Sequence, residues 1–278
     1  RGSARLRAGC ARGQRKRKMR AANAGVAMGK SSTDVAKETA DLIVTDDSFS
    51  SIVKGIEEGR IVYNNIRKVI ALLIATGFSA LLLFFLTVFA GLPMPLLAVQ
   101  LLWLNLIANG LQDVALAFEP KEGDELDFPP RNPDEPIFER HIIEHVLVVG
   151  GAMGALAFAS YAWMIDSGMH ENEARSLMLM LMIMFGNIHA LSSRSERTSL
   201  FRIRFFANPF LAMAVPLAQL THIAAEYVPG LKDVLGLYPV SPAQWGTIFC
   251  VAMVLLAVEE LHKWSVRLRH RRQNATPV

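Results

Sequence analysis

The sequence predicts a mainly α protein: a six-helix transmembrane bundle preceded by a small α/β fragment. Three observations carry this. Apolar residues make up 52% of the 278-residue chain and are gathered into blocks, six of which approach or exceed a membrane helix's length. That length is roughly 17–25 residues. Lys and Arg fall unequally on the alternate links between the blocks. Before the first block, a more polar stretch carries the short strand and helix periodicities of a soluble domain.

Residues 1–21 hold many Arg and Lys and no acid. Such a block is disordered by composition, or binds acidic lipid or nucleic acid. In the stretch 22–60, residues 25–28 read as a strand and 32–40 as a short helix capped by Ser32 or Thr33. Residues 42–45 read as a second, buried strand. Asp46 or Asp47 then caps a helix from Phe49 onward, with Ile52, Val53 and Ile56 at helical spacing. Tyr63 to Lys68 lead that helix into the first span. Two strands and two helices close no core of their own, so this fragment needs the rest of its domain, from this chain or another.

The six spans are placed at 69–89, 95–118, 143–165, 177–191, 210–228 and 245–261. The fourth is short and interrupted by Gly186, Asn187 and His189. Links 91–94, 166–176 and 229–244 contain only Arg175 and Lys232 as basic residues. The other side holds Arg67, Lys68, Lys121, Arg131, Arg140, Arg194, Arg197, Arg202 and Arg204, and the tail adds Lys263, Arg267, Arg269, Arg271 and Arg272. This asymmetry places both termini in the cytoplasm, in an integral protein of the plasma (inner) membrane. The net charge of +4 therefore reads as topology, with the lipid bilayer as partner and no nucleic acid. Cys10 and Cys250 form neither a disulfide framework nor a metal site, and no short apolar core of a secretory signal follows the basic start. The Pro- and acid-rich connection 119–140 could dock on a soluble domain. The basic loop 192–206 suits anionic headgroups.

Within the second span, Asn105, Asn109, Gln112 and Asp113 fall on one stripe. At about 100° per residue their offsets keep them within roughly a 100° arc. Polar groups on a lipid-buried helix are costly, so such a stripe faces a pathway or a partner helix. Asn187 in the fourth span either faces Asn105 across that pathway or bonds a neighbouring helix, and His189 has the second choice too. Glu226 and the pair Glu259 and Glu260 stand near span ends and read as solvated. The stretch Gly25 to Ser31 resembles a phosphate loop with one residue too few between its glycines, and reads as a structural turn. His141, Glu144 and His145 match H-x-x-E-H, a zinc-peptidase pattern, but no third ligand is evident; they read as a polar cap. The methionines at 178–184 read as packing.

Three stretches together resemble the C-terminal part of P-type cation-transporting ATPases of the calcium and sodium/potassium pump group. They are Gly25-Val-Ala-Met-Gly with Val35 to Val53, then Glu57 to Lys68, and then Val99 to Gly110 with Ala117-Phe-Glu-Pro. The resemblance covers residues 22–265. It implies that 22–62 end the phosphorylation domain, 63–265 form the C-terminal transmembrane domain with helices five to ten, and 266–278 are a basic cytoplasmic tail. It implies ATP and Mg²⁺ as cofactors of the intact pump, with none in this chain. Its partners are then the transported cation and the missing pump portion or another polypeptide.

The departures are as informative. The chain has no D-K-T-G-T phosphorylation motif, nucleotide domain or first four helices, so it is expected to be inactive alone as an ATPase. Where the family carries a T-G-D-G-V-N-D-A-P hinge, this chain has the Arg/Lys block, which reads as another reading frame or a misplaced start. Of the family's N-x-x-T-D on helix six, Asn105 keeps the first place, while Ala108 and Asn109 hold the next two. The ligand positions on helices five and eight become Gly77, Ala80 and Gly186. With few carboxylates for hard Ca²⁺, the expected cargo shifts to a monovalent ion, a proton or another cation, with Asp113 as a compensating carboxylate. The cation pathway is then Asn105, Asn109, Gln112, Asp113 and Asn187. A non-catalytic membrane partner of another pump, or a nonfunctional truncated remnant, are the alternatives.

Overall fold

The computed structural model describes residues 24–123, 125–126, 140–196 and 198–274, with only the backbone of Ala108, His141 and residues 270–274. The basic block 1–21, most of the connection 119–140 and the last residues of the tail lie outside this description. The chain divides into two compact units, Arg1–Tyr63 with Lys121–Pro136, and Asn64–Pro120 with Ile137–Val278.

The first unit contains strand β1 (Val26–Met28), helix α1 (Asp34–Lys37), strand β2 (Leu42–Val44) and the start of helix α2 (Phe49–Phe89). The strands pair in parallel, Ala27 opposite Ile43, so the chain must cross over between them, and α1 is that crossover. Thr33 occupies the N-cap of α1 without a side-chain bond; the neighbouring Ser32 hydroxyl instead accepts the Met28 N–H at 2.9 Å. Asp46 steadies the first turn of α2, accepting from the Ser51 hydroxyl at 2.6 Å and the Ser48 N–H at 3.1 Å. Asp47, at a left-handed φ of 54°, accepts the N–H groups of Lys30 and Ser31 at 2.8 Å each. The Ser51 hydroxyl and the Lys30 N–H are the main causes that hold these two carboxyls below the usual carboxylate range. The amides of the glycine turn are thus satisfied by Asp47, as a structural turn requires. One expectation is overturned: β2 is not buried. Leu42 and Ile43 are 60% and 48% exposed, because a two-stranded sheet has no neighbour to cover that face.

The second unit is helical. After the apolar part of α2 come α3 (Ala98–Leu104), a π-turn (Asn105–Asn109) and α4 (Gly110–Ala117). Then follow α5 (Arg140–His145), a second π-turn (Val146–Gly150) and α6 (Gly151–Asp166), α7 (Glu171–Ser192), α8 (Pro209–Ala225), α9 (Leu231–Leu235) and α10 (Pro242–Asn274). Among the described residues, four stretches are long and apolar enough to cross a membrane: Phe49–Phe89, Ile142–Asp166, Glu171–Ser192 and Pro242–Arg269. The six expected spans therefore meet four such helices, and the second runs on as helix through its π-turn, from Ala98 to Ala117. The fifth, α8, stops at Ala225, short of Pro229 and the left-handed Gly230. The fourth is longer than expected, beginning at Glu171, where His170 accepts the Asn172 N–H and two glutamates suit the helix's positive end.

Helix α7 is the centre. It is apolar nearly all round and buried nearly all round, with Met178, Met180 and Met182 among its packed side chains. It packs on α6, α8 and α10. Helix α2 meets the second π-turn and α6 through bare backbone. A Cβ on Gly150 would lie 2.7 Å from the Ala75 carbonyl, and one on Gly154 2.8 Å from that of Ser79. Four-residue spacing of small residues is how lipid-buried helices approach closely.

A buried polar knot ties the loops after α4 and α7. Arg194 Nε donates to Glu119 Oε1 at 2.8 Å, and Asn208 Nδ2 donates to Glu119 Oε2 at 2.8 Å. Asn65 Nδ2 donates to the Glu119 carbonyl at 2.7 Å. Arg194, counted above among topology charges, is 2% exposed, which its ion pair makes tolerable.

Candidate functional site

The π-turn at Asn105–Asn109 sets the geometry. Its bonds close over five residues, so each residue turns less than in an α-helix and the faces before and after it are rephased. Asn105 Nδ2 donates to the Leu101 carbonyl at 3.0 Å, and Asn109 Nδ2 donates to Asn105 Oδ1 at 3.0 Å. Both side chains line a cavity of about 130 Å³ with Thr76, Gly77 and Ala80 from α2 and Gly186 from α7. Asn105 is exposed on one side of this cavity and Asn109 half-buried.

Past the turn, Gln112 points elsewhere. It is 1% exposed, and its Nε2 donates to Asn187 Oδ1. Asn187 Nδ2 donates to Gln219 Oε1 at 2.9 Å, and Gln219 Nε2 reaches Met180 Sδ at 2.9 Å. Asp113 is half-buried, with Oδ1 lacking a hydrogen-bond partner among the described residues, and is not part of the cavity lining. The single stripe is therefore split into a cavity pair, a buried amide relay and a separate carboxylate. Asn187 meets Gln112 and not Asn105. The α-helical 100° step fails here because five residues adopt the wider turn.

The cavity offers neutral oxygen. The Thr76 hydroxyl donates back to its own helix, at 2.9 Å to the Leu72 carbonyl, and keeps its lone pairs for a guest. The Asn105 and Asn109 amide oxygens add to it, and among the described residues no carboxylate lines the space. Such a lining can replace part of the water shell of a weakly hydrated cation. It lacks the anionic ligands that hard divalent ions demand.

Two expectations near span ends are corrected. Glu226 is 5% and Glu259 1% exposed, so neither is solvated. Glu259 lies on the stripe of Ala252, Leu255 and His262 that α10 buries. Thr76 and Gln219 escaped the sequence reading; each is a polar residue in an apolar run, which is the signal that marked Asn105. The H-x-x-E-H residues diverge: Glu144 pairs with Arg269, while His145 turns towards His189 and His262. Among the described residues no group of three or more His, Cys, Asp or Glu is arranged to hold a metal.

Comparison with known proteins now adds a second line. The family model described as "Cation transporting ATPase, C-terminus" matches residues 93–265. The "Probable cation-transporting ATPase F" of Mycobacterium tuberculosis is 34% identical over 240 residues, covering 86% of this chain and 26% of that protein. An "Endoplasmic reticulum calcium ATPase" of Aspergillus fumigatus is 30% identical over 280 residues, covering 90% and 29%. A "Calcium-transporting ATPase" of Plasmodium falciparum is 27% identical over 301 residues, covering 93% and 24%. The chain spans about a quarter of the length of these relatives.

Proposed function

Because the chain belongs to the cation-transporting ATPases, in their C-terminal membrane part, we propose that it is the transport portion of a P-type pump. Phosphorylation of an aspartate elsewhere drives rearrangement of its helices, and ATP and Mg²⁺ act on that other portion. One observation carries the reading. Asn105 and Asn109, together with the positions that the family resemblance marks for ligands on helices five and eight (Gly77, Ala80 and Gly186), line one cavity. The exposed side of Asn105 is where further helices of the pump close the site. The bare face of β2 is where the remaining phosphorylation domain docks, and residues 24–62 are its end. Helices α2 to α10 then supply the six spans, with both termini on the cytoplasmic side of the plasma (inner) membrane.

The cargo is a monovalent cation. Asn and Thr oxygens without carboxylates favour it over Ca²⁺, whatever the relatives carry. Gln112 and Asn187 set the spacing of α4, α7 and α8 around the site, and Asp113 supplies nearby negative charge. Radiotracer binding of Na⁺, Rb⁺ and Ca²⁺ to the purified chain in lipid nanodiscs tests this. A monovalent ion should bind, and Asn105→Ala with Asn109→Ala should weaken it at least about tenfold. Calcium binding that outcompetes every monovalent ion would overturn the cargo. ATP hydrolysis by the contaminant-free chain would overturn the division of labour.

A further inference from the structure

A second polar cluster lies away from the cavity, where α7 and α10 approach the end of α5. His189 has no exposed surface and Glu259 is 1% exposed. The His189 Nδ1 and Glu259 Oε1 atoms are 2.8 Å apart. The His145 ring stacks on that of His189, with centroids 5.6 Å and planes 20° apart, and its centroid lies 5.5 Å from that of His262. His189 Nε2 is buried without a hydrogen-bond partner among the described residues, and the Ser192 hydroxyl faces the Glu259 carboxyl. None of these side chains lines the cation cavity.

A pair this deep is restricted in charge. With a hydrogen on His189 Nε2 and one more shared between Nδ1 and Oε1, the imidazole and carboxyl are neutral overall, whichever of the two atoms holds the shared one. Without it a carboxylate is left alone, and with a second a lone imidazolium; both states are costly in apolar surroundings. The charged neighbours are engaged on their own account. Glu144 pairs with Arg269, Glu196 with Arg67 at 3.8 Å, and Lys263 donates to the Ser192 and Thr198 carbonyls at 2.6 and 3.4 Å. His145 and His262, less buried than His189, extend the cluster from the pair towards the half-buried Glu144 and the exposed Arg269 side chains.

We propose that His189 and Glu259 form a proton-binding site, with His145 and His262 as the relay through which its proton exchanges with water. The rings meet face to face or tilted, not through hydrogen bonds, so each transfer passes through water between ring nitrogens. An imidazole accepts a proton on one nitrogen and releases one from the other, its charge is restored and no electrons move. The ligand is the proton, and the site is separate from the cation cavity.

The test uses the full chain in nanodiscs, with ¹⁵N in the histidine rings, read by NMR near neutral pH. One imidazole signal, removed by His189→Gln, should show a hydrogen on Nδ1 in a strong hydrogen bond. Its exchange with water should be at least about tenfold slower than that of the exposed His170. His262→Phe, at the edge of the cluster, should slow that exchange by about another tenfold, and so should His145→Phe. Glu259→Gln should remove the hydrogen-bond shift and so assigns the signal if His189→Gln does not fold. An Nδ1 with no hydrogen-bond shift, or an exchange rate that neither phenylalanine changes, would overturn the proposal. Cation binding is not part of the readout, so the two conclusions fail separately.

Discussion

Glu119 is a single carboxylate on which three segments depend. Its two oxygens take Arg194 and Asn208, and its carbonyl takes Asn65. Arg194→Met therefore strands a buried charge, at a cost of about 3–5 kcal/mol. Glu119→Gln on the same background should return much of that loss, because a neutral amide needs no counter-charge. Thermal unfolding of the four variants in one detergent, read as a double-mutant cycle, checks this; additive losses would reject the coupling. Arg194 illustrates what sequence hides at this scale. It stands in a basic loop and counts like any arginine in a topology argument, and nothing local says that it is inside. Glu259 is the opposite case. Its place seven residues after Ala252 and four after Leu255, on the stripe that α10 buries, is legible from helical periodicity; nearness to a span end was the wrong guide.

Elements were the most legible level. Apolar blocks locate every long helix, and α2 runs unbroken from the polar region into the first span as Tyr63 to Lys68 suggested. What periodicity misses is a change of period. The π-turns leave no composition signal, yet one of them separates Asn105 and Asn109 from Gln112 and Asp113. Glycine contacts are similarly silent until two helices are brought together. Gly154→Leu drives a side chain into the Ser79 carbonyl and the Leu82 side chain. It should destabilise the chain by about 1–3 kcal/mol or more. Gly77→Ala meets nothing within 4 Å and should leave the unfolding midpoint nearly unchanged. Equal midpoints for both variants would refute the close approach.

At the scale of the whole molecule, the two units differ in how much of their apolar surface they cover. The first unit leaves apolar side chains of β2 uncovered, whereas α7 in the second unit is enclosed on nearly every side. Limited proteolysis of the purified chain should therefore cut within residues 24–62 before it cuts the helical unit. Co-expression with the remainder of a phosphorylation domain should slow that cut at least about tenfold. First cleavage within α7 would contradict it. The mainly helical class was open to sequence here because membrane solvation forces helices to announce themselves; the uncovered surface of β2 was open only as a shortage of core. The bare-backbone contact at Gly150 and Gly154 has one mechanical consequence. It touches α2 at Ala75 and Ser79, with about 39 Å of helix towards Phe49 and about 15 Å towards Phe89. It is a fulcrum on an unequal lever, and Thr76, Gly77 and Ala80 sit on it. A tilt that swings the long arm turns the wall of the cavity while hardly displacing it.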